Sequence, residues 1–396
     1  MTATPIVLLA LLFGAVSALP PLSIDSSLPA LPAMAAGLGV SAGTIQLNLS
    51  AYMVGSAFGQ LVVGPLSDRH GRRPLLLAGL GLYIAASAGC VFAGDLGTLI
   101  ALRFVQGLGT ACGRVLPRAM VRDLFEREHA ARMLSYMMAV GGASPILAPL
   151  IGGFLTGWAG WRAVFLMMTL YAVVLLAVSA VLMRETLPPE ARQRPSFGRI
   201  LVNYWMILRH RTVLAYLACV ICANAGLFAF LAASSSVLIG VLGETPARFG
   251  IDFAMVMCAF TAANLVGGKL VVRAGIDRLL GVGVAICAVG GALMAGLALA
   301  GVLSIWAIVV PMFIYIAGYG LVLPQATAGA LSPFPQLAGT ASALVGFVQF
   351  SGGAASATLV GLLHDGTQMP MTLAIGAAGI GVAVAFRAFV RPLGQP

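Results

Sequence analysis

Asp25 and Arg103 each stand inside a long apolar stretch of a 396-residue chain that is 60% hydrophobic and only 9% charged. Ionisable groups in such surroundings are expensive and usually serve a purpose. Asp25 reads as the only acid so placed. It follows Pro20-Pro21 and precedes Pro29, and prolines loosen the helical hydrogen bonding around it. Low dielectric disfavours the charged form of a carboxyl, so Asp25 is suited to taking up and releasing a proton. Arg103 should lie at a similar depth, beside Asp25, and make its charge state switchable. Arg114 is deeper and has no evident partner; it would line a cavity or pair with a backbone carbonyl. Tyr52, Gln106, Asn224, Phe228, Asn264, Tyr315, Tyr319 and Gln349 are polar or aromatic residues in apolar helices. They are candidates for the wall of a mostly apolar pocket. With no second buried acid, that pocket fits neutral amphiphiles better than strongly cationic molecules.

A second concentration of chemistry is the run Gly64-Pro65-Leu66-Ser67-Asp68-Arg69-His70-Gly71-Arg72-Arg73-Pro74. Gly64 and Gly71 permit a tight reversal between two apolar stretches. Arg69, Arg72 and Arg73 hold that connection on the cytoplasmic side of a membrane, and Asp68 gives them an internal anion. Gly268, Arg273 and Gly275 repeat Gly64, Arg69 and Gly71 at the same spacing, with Val272 in place of the acid.

The elements that must carry these residues are membrane helices. Mean hydropathy is +1.02. A span needs about 20 apolar residues, and the apolar runs are too continuous for a barrel. Twelve spans are expected, near 5–30, 43–64, 74–93, 97–120, 133–157 and 161–183, then 211–238, 249–271, 278–301, 304–328, 337–362 and 369–391. The polar, proline-bearing stretch 184–210 divides them six and six. The expected organisation is a bundle over 1–183, a cytoplasmic linker over 184–210 and a bundle over 211–396. Of the 22 basic residues, 17 fall on connections and the tail of one side, which places both termini in the cytoplasm. The net charge of +10 is therefore topological, and no nucleic-acid partner is implied. Met1 to Pro5 carries no positive side chain, so the first apolar run reads as an uncleaved helix.

The pattern G-x-L-x-D-R-x-G-R-R from Gly64 to Arg73 resembles the signature loop of major facilitator superfamily transporters. Arg103-Phe104-Val105-Gln106-Gly107-Leu108-Gly109 resembles the fourth-helix motif of proton-linked members. The stretch Gly141 to Gly153 resembles the fifth-helix exporter motif: Pro149, Gly152 and Gly153 fit, while Ser144 and Ala148 replace glycines. Pro21-Leu22-Ser23-Ile24-Asp25, Glu185 to Glu190 and Phe334 to Ser342 look like Bcr/CflA-type drug:proton antiporters. The resemblance implies an all-α fold of two pseudo-symmetric six-helix bundles in the bacterial inner membrane. It implies a monomer that needs no cofactor and is driven by the proton gradient. It also implies that Asp123 joins the Asp68 cluster to hold the cytoplasmic side closed. The expected activity is export of small, mostly neutral amphenicol- or bicyclomycin-like drugs by alternating access. The alternative is movement of an endogenous metabolite.

Other chemistries find no footing. Ala263 and Leu270 break a phosphate-binding loop around Lys269, and Gly107, Gly109 and Gly113 have the wrong spacing for a dinucleotide fingerprint. The four histidines are scattered, so no metal cluster is expected, and no catalytic constellation marks an enzyme. The six cysteines fall in spans as small apolar residues.

Overall fold

The computed structural model describes residues 6–125, 127–192 and 197–394. Met1–Pro5, on which the reading of an uncleaved first helix rests, lie outside the described residues. Every regular element among those described is a helix. We label the long ones α1 (Ile6–Ser17, Leu19–Asp25 and Leu31–Leu38), α2 (Leu47–His70), α3 (Arg72–Phe92), α4 (Leu96–Leu124), α5 (Arg127–Ala159) and α6 (Trp161–Leu182). An amphipathic helix, Phe197–Arg209, follows. Then come α7 (Arg211–Ser235), α8 (Pro246–Ala274), α9 (Ile276–Leu299), α10 (Ile305–Leu331), α11 (Ala338–Leu362) and α12 (Met369–Ala385). Eleven of these are long and apolar enough to cross a membrane, and α1, bent by 41°, is a twelfth when its two parts are counted as one span. Large apolar side chains such as Phe92, Val181 and Val272 are more than 80% exposed, which suits a surface wetted by lipid rather than water.

The packing has an internal two-fold logic. Contacts α1–α5, α2–α4, α3–α4 and α3–α6 in the first bundle recur as α7–α11, α8–α10, α9–α10 and α9–α12 in the second. The two large contacts between bundles, α2–α11 and α5–α8, exchange under the same six-helix shift. Glycines make these crossings close, as small residues do where lipid offers no hydrophobic drive. Gly107 of α4 faces the Tyr52 carbonyl of α2, and Gly109 faces the Gly79 carbonyl of α3.

The run from Gly64 to Pro74 differs from the expected loop. Helix α2 continues through Pro65 to His70, and α3 begins at Arg72, so the reversal rests on Gly71 alone at φ 99°. Gly64 is inside α2, with open space where a side chain would stand. The physical reason is that Pro65 disturbs only the turn before it, while the following charged residues reach water without ending the helix. Gly275, at φ 78°, performs the same reversal between α8 and α9, so the glycine half of the sequence repeat is structural.

The seams between bundles hold at the end opposite Gly71. Gly43 packs against the Gly361 carbonyl, and the Thr358 and Ser50 hydroxyls are 2.9 Å apart. Gly153 of α5 faces the Pro246 carbonyl, and Gly250 of α8 faces the Pro149 carbonyl. The described close contacts between the bundles are therefore concentrated at the face opposite Gly71.

Replacing Gly107 with Val should force α4 off α2. Overpacking of this kind costs about 1–3 kcal/mol. The thermal unfolding midpoint of the detergent-solubilised variant should fall; an unchanged midpoint would show that the crossing tolerates a side chain.

Candidate functional site

Helix α1 breaks where the sequence places its prolines. Ser27 N–H bonds the Ile24 carbonyl at 3.0 Å rather than reaching back one residue further, and Pro29 brings no N–H for the Asp25 carbonyl. Freed backbone groups at membrane depth need other partners. The Ser23 and Ser26 hydroxyls donate to the Leu19 and Leu22 carbonyls at 2.7 and 2.5 Å. Arg103, fully buried on α4, reaches the break as well: Nη1 donates to the Ser23 carbonyl at 3.2 Å and Nη2 to Ser27 Oγ at 3.3 Å.

That arrangement corrects the expected Asp25–Arg103 pair. Arg103 grips the residues two before and two after Asp25 but makes no ion pair with it. Its guanidinium is held by Gln106 Oε1 at 2.6 Å and lies 4.6 Å from the Tyr52 ring centroid and 5.7 Å from that of Phe165. Ring faces and carbonyl dipoles replace the missing anion. Gln106 in turn donates to Ser87 Oγ at 2.7 Å. Arg103, Gln106 and Tyr52 thus form the buried support of the site and not its wall.

The wall is a cavity of about 180 Å³ between the bundles, bounded by Asp25, Arg114, Asn224, Phe228, Tyr319 and Gln349 among the expected residues. Asp25 is 6% exposed and makes no hydrogen bond or ion pair among the described residues. Arg114 has none either, and its guanidinium lies over the Phe350 ring at 4.5 Å. Tyr319 OH donates to Asn224 Oδ1 at 2.7 Å, and Asn224 Nδ2 to the Gln349 carbonyl at 2.7 Å, which ties α7, α10 and α11 together. The Gln349 side-chain amide itself has no partner among the described residues. Asn264 is not brought to the cavity. Tyr315 is buried with its OH donating to the Ala223 carbonyl at 2.9 Å, so it serves α7–α10 packing. Apolar lining residues Pro145, Met257, Phe260 and Phe350 carried no sequence signal beyond ordinary hydrophobicity.

Gly152 of α5 faces the Ser26 carbonyl, one residue from Asp25, and Gly153 faces α8. The Pro149, Gly152 and Gly153 motif therefore fits α5 between α1 and the other bundle. Asp252 on α8 is also buried, at 2% exposure, so Asp25 is not the only acid inside a span.

At the Gly71 face, Arg72 Nη1 meets Asp68 Oδ1 at 2.6 Å and Arg72 Nε meets Asp123 Oδ2 at 3.0 Å. Arg73 Nη2 donates to the Ala180 carbonyl at 2.7 Å, whereas Arg69 is exposed and outside the cluster. The residue that organises this face is Glu185. Its carboxylate accepts from Arg72 N and Arg73 N at 2.9 and 3.3 Å, at the start of α3, and from Thr186 N and Leu187 N at 3.0 Å. Partial burial pushes the Glu185 carboxyl up, but the N–H donors of Leu187, Arg72, Thr186 and Arg73 outweigh it and hold it below the usual carboxylate range. The cluster lies on α2, α3, α4 and the start of the connecting segment, and none of its described ion pairs reaches the second bundle.

Replacing Glu185 with Gln should loosen residues 185–187 from α3. A helix-start acceptor is worth about 0.5–2 kcal/mol, so tryptic cleavage in the 184–192 stretch should accelerate several-fold. Because docking favours the charged carboxyl, its contribution is present above the ordinary value of 4.5 and is lost as pH falls below it. Equal cleavage of variant and parent would refute this role.

With the geometry established, comparison with known proteins gives a consistent picture. Residues 6–357 match the family model described as Major Facilitator Superfamily. A bicyclomycin resistance protein homolog of Haemophilus influenzae is 32% identical over 93% of this chain and 92% of its own. Multidrug resistance protein D of Escherichia coli is 35% identical over 89% and 88%. Among solved structures, a POT family transporter crystallised with 5-aminolevulinic acid aligns over 98% of this chain and 96% of its own, with TM-score 0.80 and 14% identity. The doubled six-helix packing, the Gly71 reversal with its charge cluster and these relatives lead to one conclusion: this chain belongs to the major facilitator superfamily, and within it to the Bcr/CflA-type transporters, and it is not an enzyme.

Proposed function

We propose that this chain is a proton-coupled exporter of small, mostly neutral drugs, working by alternating access at the cytoplasmic membrane. The observation that carries the proposal is Asp25, a buried carboxyl with no partner, facing the same cavity as the equally unpartnered Arg114. A cavity with one acid, one base and the Gln349 side-chain amide suits a neutral molecule with hydrogen-bonding groups. The names of the relatives, bicyclomycin and multidrug resistance proteins, support a drug as cargo.

In this reading residues 1–183 and 211–396 rock about the cavity and 184–210 links them on the cytoplasmic side, where both termini lie. The close contacts at the face opposite Gly71 suit a state that is closed outside and open inward. Arg103 acts as a positioning residue that holds the broken α1 backbone so that Asp25 faces the cavity. Asp68, Arg72 and Asp123 keep the cytoplasmic ends of α2, α3 and α4 together as the bundle moves. One charge crossing 100 mV yields about 2.3 kcal/mol, roughly a forty-fold concentration ratio. A single carboxyl exchanging a proton for drug would therefore suffice. A monomer carries every part named here.

The cavity volume favours a second reading. About 180 Å³ is smaller than the roughly 300–1,000 Å³ of drug-sized sites. It admits a small metabolite as it stands, and a drug only after the bundles part further.

Cells expressing the chain should accumulate less bicyclomycin or florfenicol than controls, and a protonophore should abolish the difference. Asp25→Asn should lose this proton-driven efflux while retaining drug binding in purified protein. Full efflux by Asp25→Asn would remove Asp25 from the coupling role. Equal drug accumulation in expressing and control cells would turn the search to metabolites.

A further inference from the structure

Glu244 and Asp252 stand at the seam that closes the face opposite Gly71. Asp252 is one turn into α8 from Arg248 and two residues from Gly250, whose backbone packs on the Pro149 carbonyl of α5. Glu244 lies in the short connection before Thr245, the residue whose hydroxyl caps α8 by accepting from Arg248 N at 3.2 Å. Both Glu244 carboxylate oxygens and Asp252 Oδ2 are enclosed, and none has a hydrogen-bond donor. The only cation at hand among the described residues, Arg248, is 53% exposed and reaches Asp252 Oδ2 from 3.5 Å. The elements packed around the pair add no charge. Residues 28–38 of α1, 141–159 of α5 and 235–243 after α7 contain no ionisable side chain, and neither does the adjoining start of α10.

Two enclosed carboxyls facing one half-solvated arginine cannot both stay ionised without an uncompensated buried charge, which is strongly unfavourable. We propose that Glu244 and Asp252 form a second proton site, which binds one proton when this seam closes and releases it when the seam opens. Burial first, and then the Asp252 carboxyl beside it, pushes the Glu244 carboxyl from its ordinary 4.5 up to about 7, against the pull of Arg248. The sign follows by linkage. The closed seam binds the proton more tightly than the open one, so its advantage is complete below the ordinary value of 4.5. It is lost as pH rises through about 7. Low pH outside the membrane would thus close the outer seam and turn the carrier inward. The inference rests on the alternating-access reading above but not on Asp25 or on the identity of the cargo.

The test is a spin-label distance across the outer face, between Gly94→Cys and Leu303→Cys, with the six native cysteines replaced and the full chain in lipid nanodiscs. In the parent, the ratio of short to long distances should fall at least about tenfold between pH 5 and 8. Glu244→Gln should stay short throughout, and the isosteric Asp252→Asn should likewise lose most of the response. A parent distance insensitive to pH, a Glu244→Gln response equal to the parent's, or a response that follows sodium at fixed pH would each overturn the inference. Asp25→Asn, measured in parallel, should keep the response. Loss there with retention in Glu244→Gln would assign the proton to Asp25 and sink this site while sparing the proposed function.

Discussion

The site depends on the interruption of the α1 backbone at membrane depth. Lipid offers no donors, so a carbonyl released where the helix breaks must find a partner within the protein. Where Ser27 N–H turns to the Ile24 carbonyl the Ser23 carbonyl is left over, and Arg103 reaches across from α4 to satisfy it, while the Ser23 and Ser26 hydroxyls add bonds to the Leu19 and Leu22 carbonyls one turn back. This explains a fully buried arginine without a counter-anion: its partners are carbonyl and hydroxyl oxygens and aromatic faces. It also explains why Asp25 is left free. The guanidinium is occupied by the residues on either side, and the carboxyl between them is turned to the cavity.

The close helix crossings are the other half of the design. Gly152 lets α5 touch α1 beside Asp25, and Gly153 with Gly250 lets α5 touch α8. A single helix therefore contacts the carboxyl segment on one side and the opposite bundle on the other. A shift of α5 would be felt at both. The Gly71 face behaves differently: its charge cluster joins α2, α3, α4 and Glu185, and none of its described ion pairs reaches the second bundle.

The resemblance of the first-bundle motifs to known transporters was well founded, yet motif membership and physical role separate on inspection. Arg69 and Gly64 belong to the signature pattern and stand outside the ion-pair cluster. Glu185, far away in sequence, completes it. Gln106 and Tyr52, polar residues in apolar helices, are spent on Arg103, whereas Asn224 and Gln349 reach the cavity. The same residue types at the same depth serve opposite purposes according to which face of the helix they occupy.

Hydropathy and the glycine-marked repeat determined the helical membrane class and the reversal at Gly71 and Gly275, because these are properties of one helix or one turn. The proline-broken first helix carrying an acid was legible for the same reason. Partner choice was not. Whether Arg103 meets Asp25 or its backbone neighbours, whether Asp252 is buried, and what Glu185 caps are settled by helix rotation and by which crossings the glycines permit. A rotation of a fraction of a turn moves a side chain from a bundle core to a cavity or a seam, and that angle is fixed only when all the neighbouring helices pack at once.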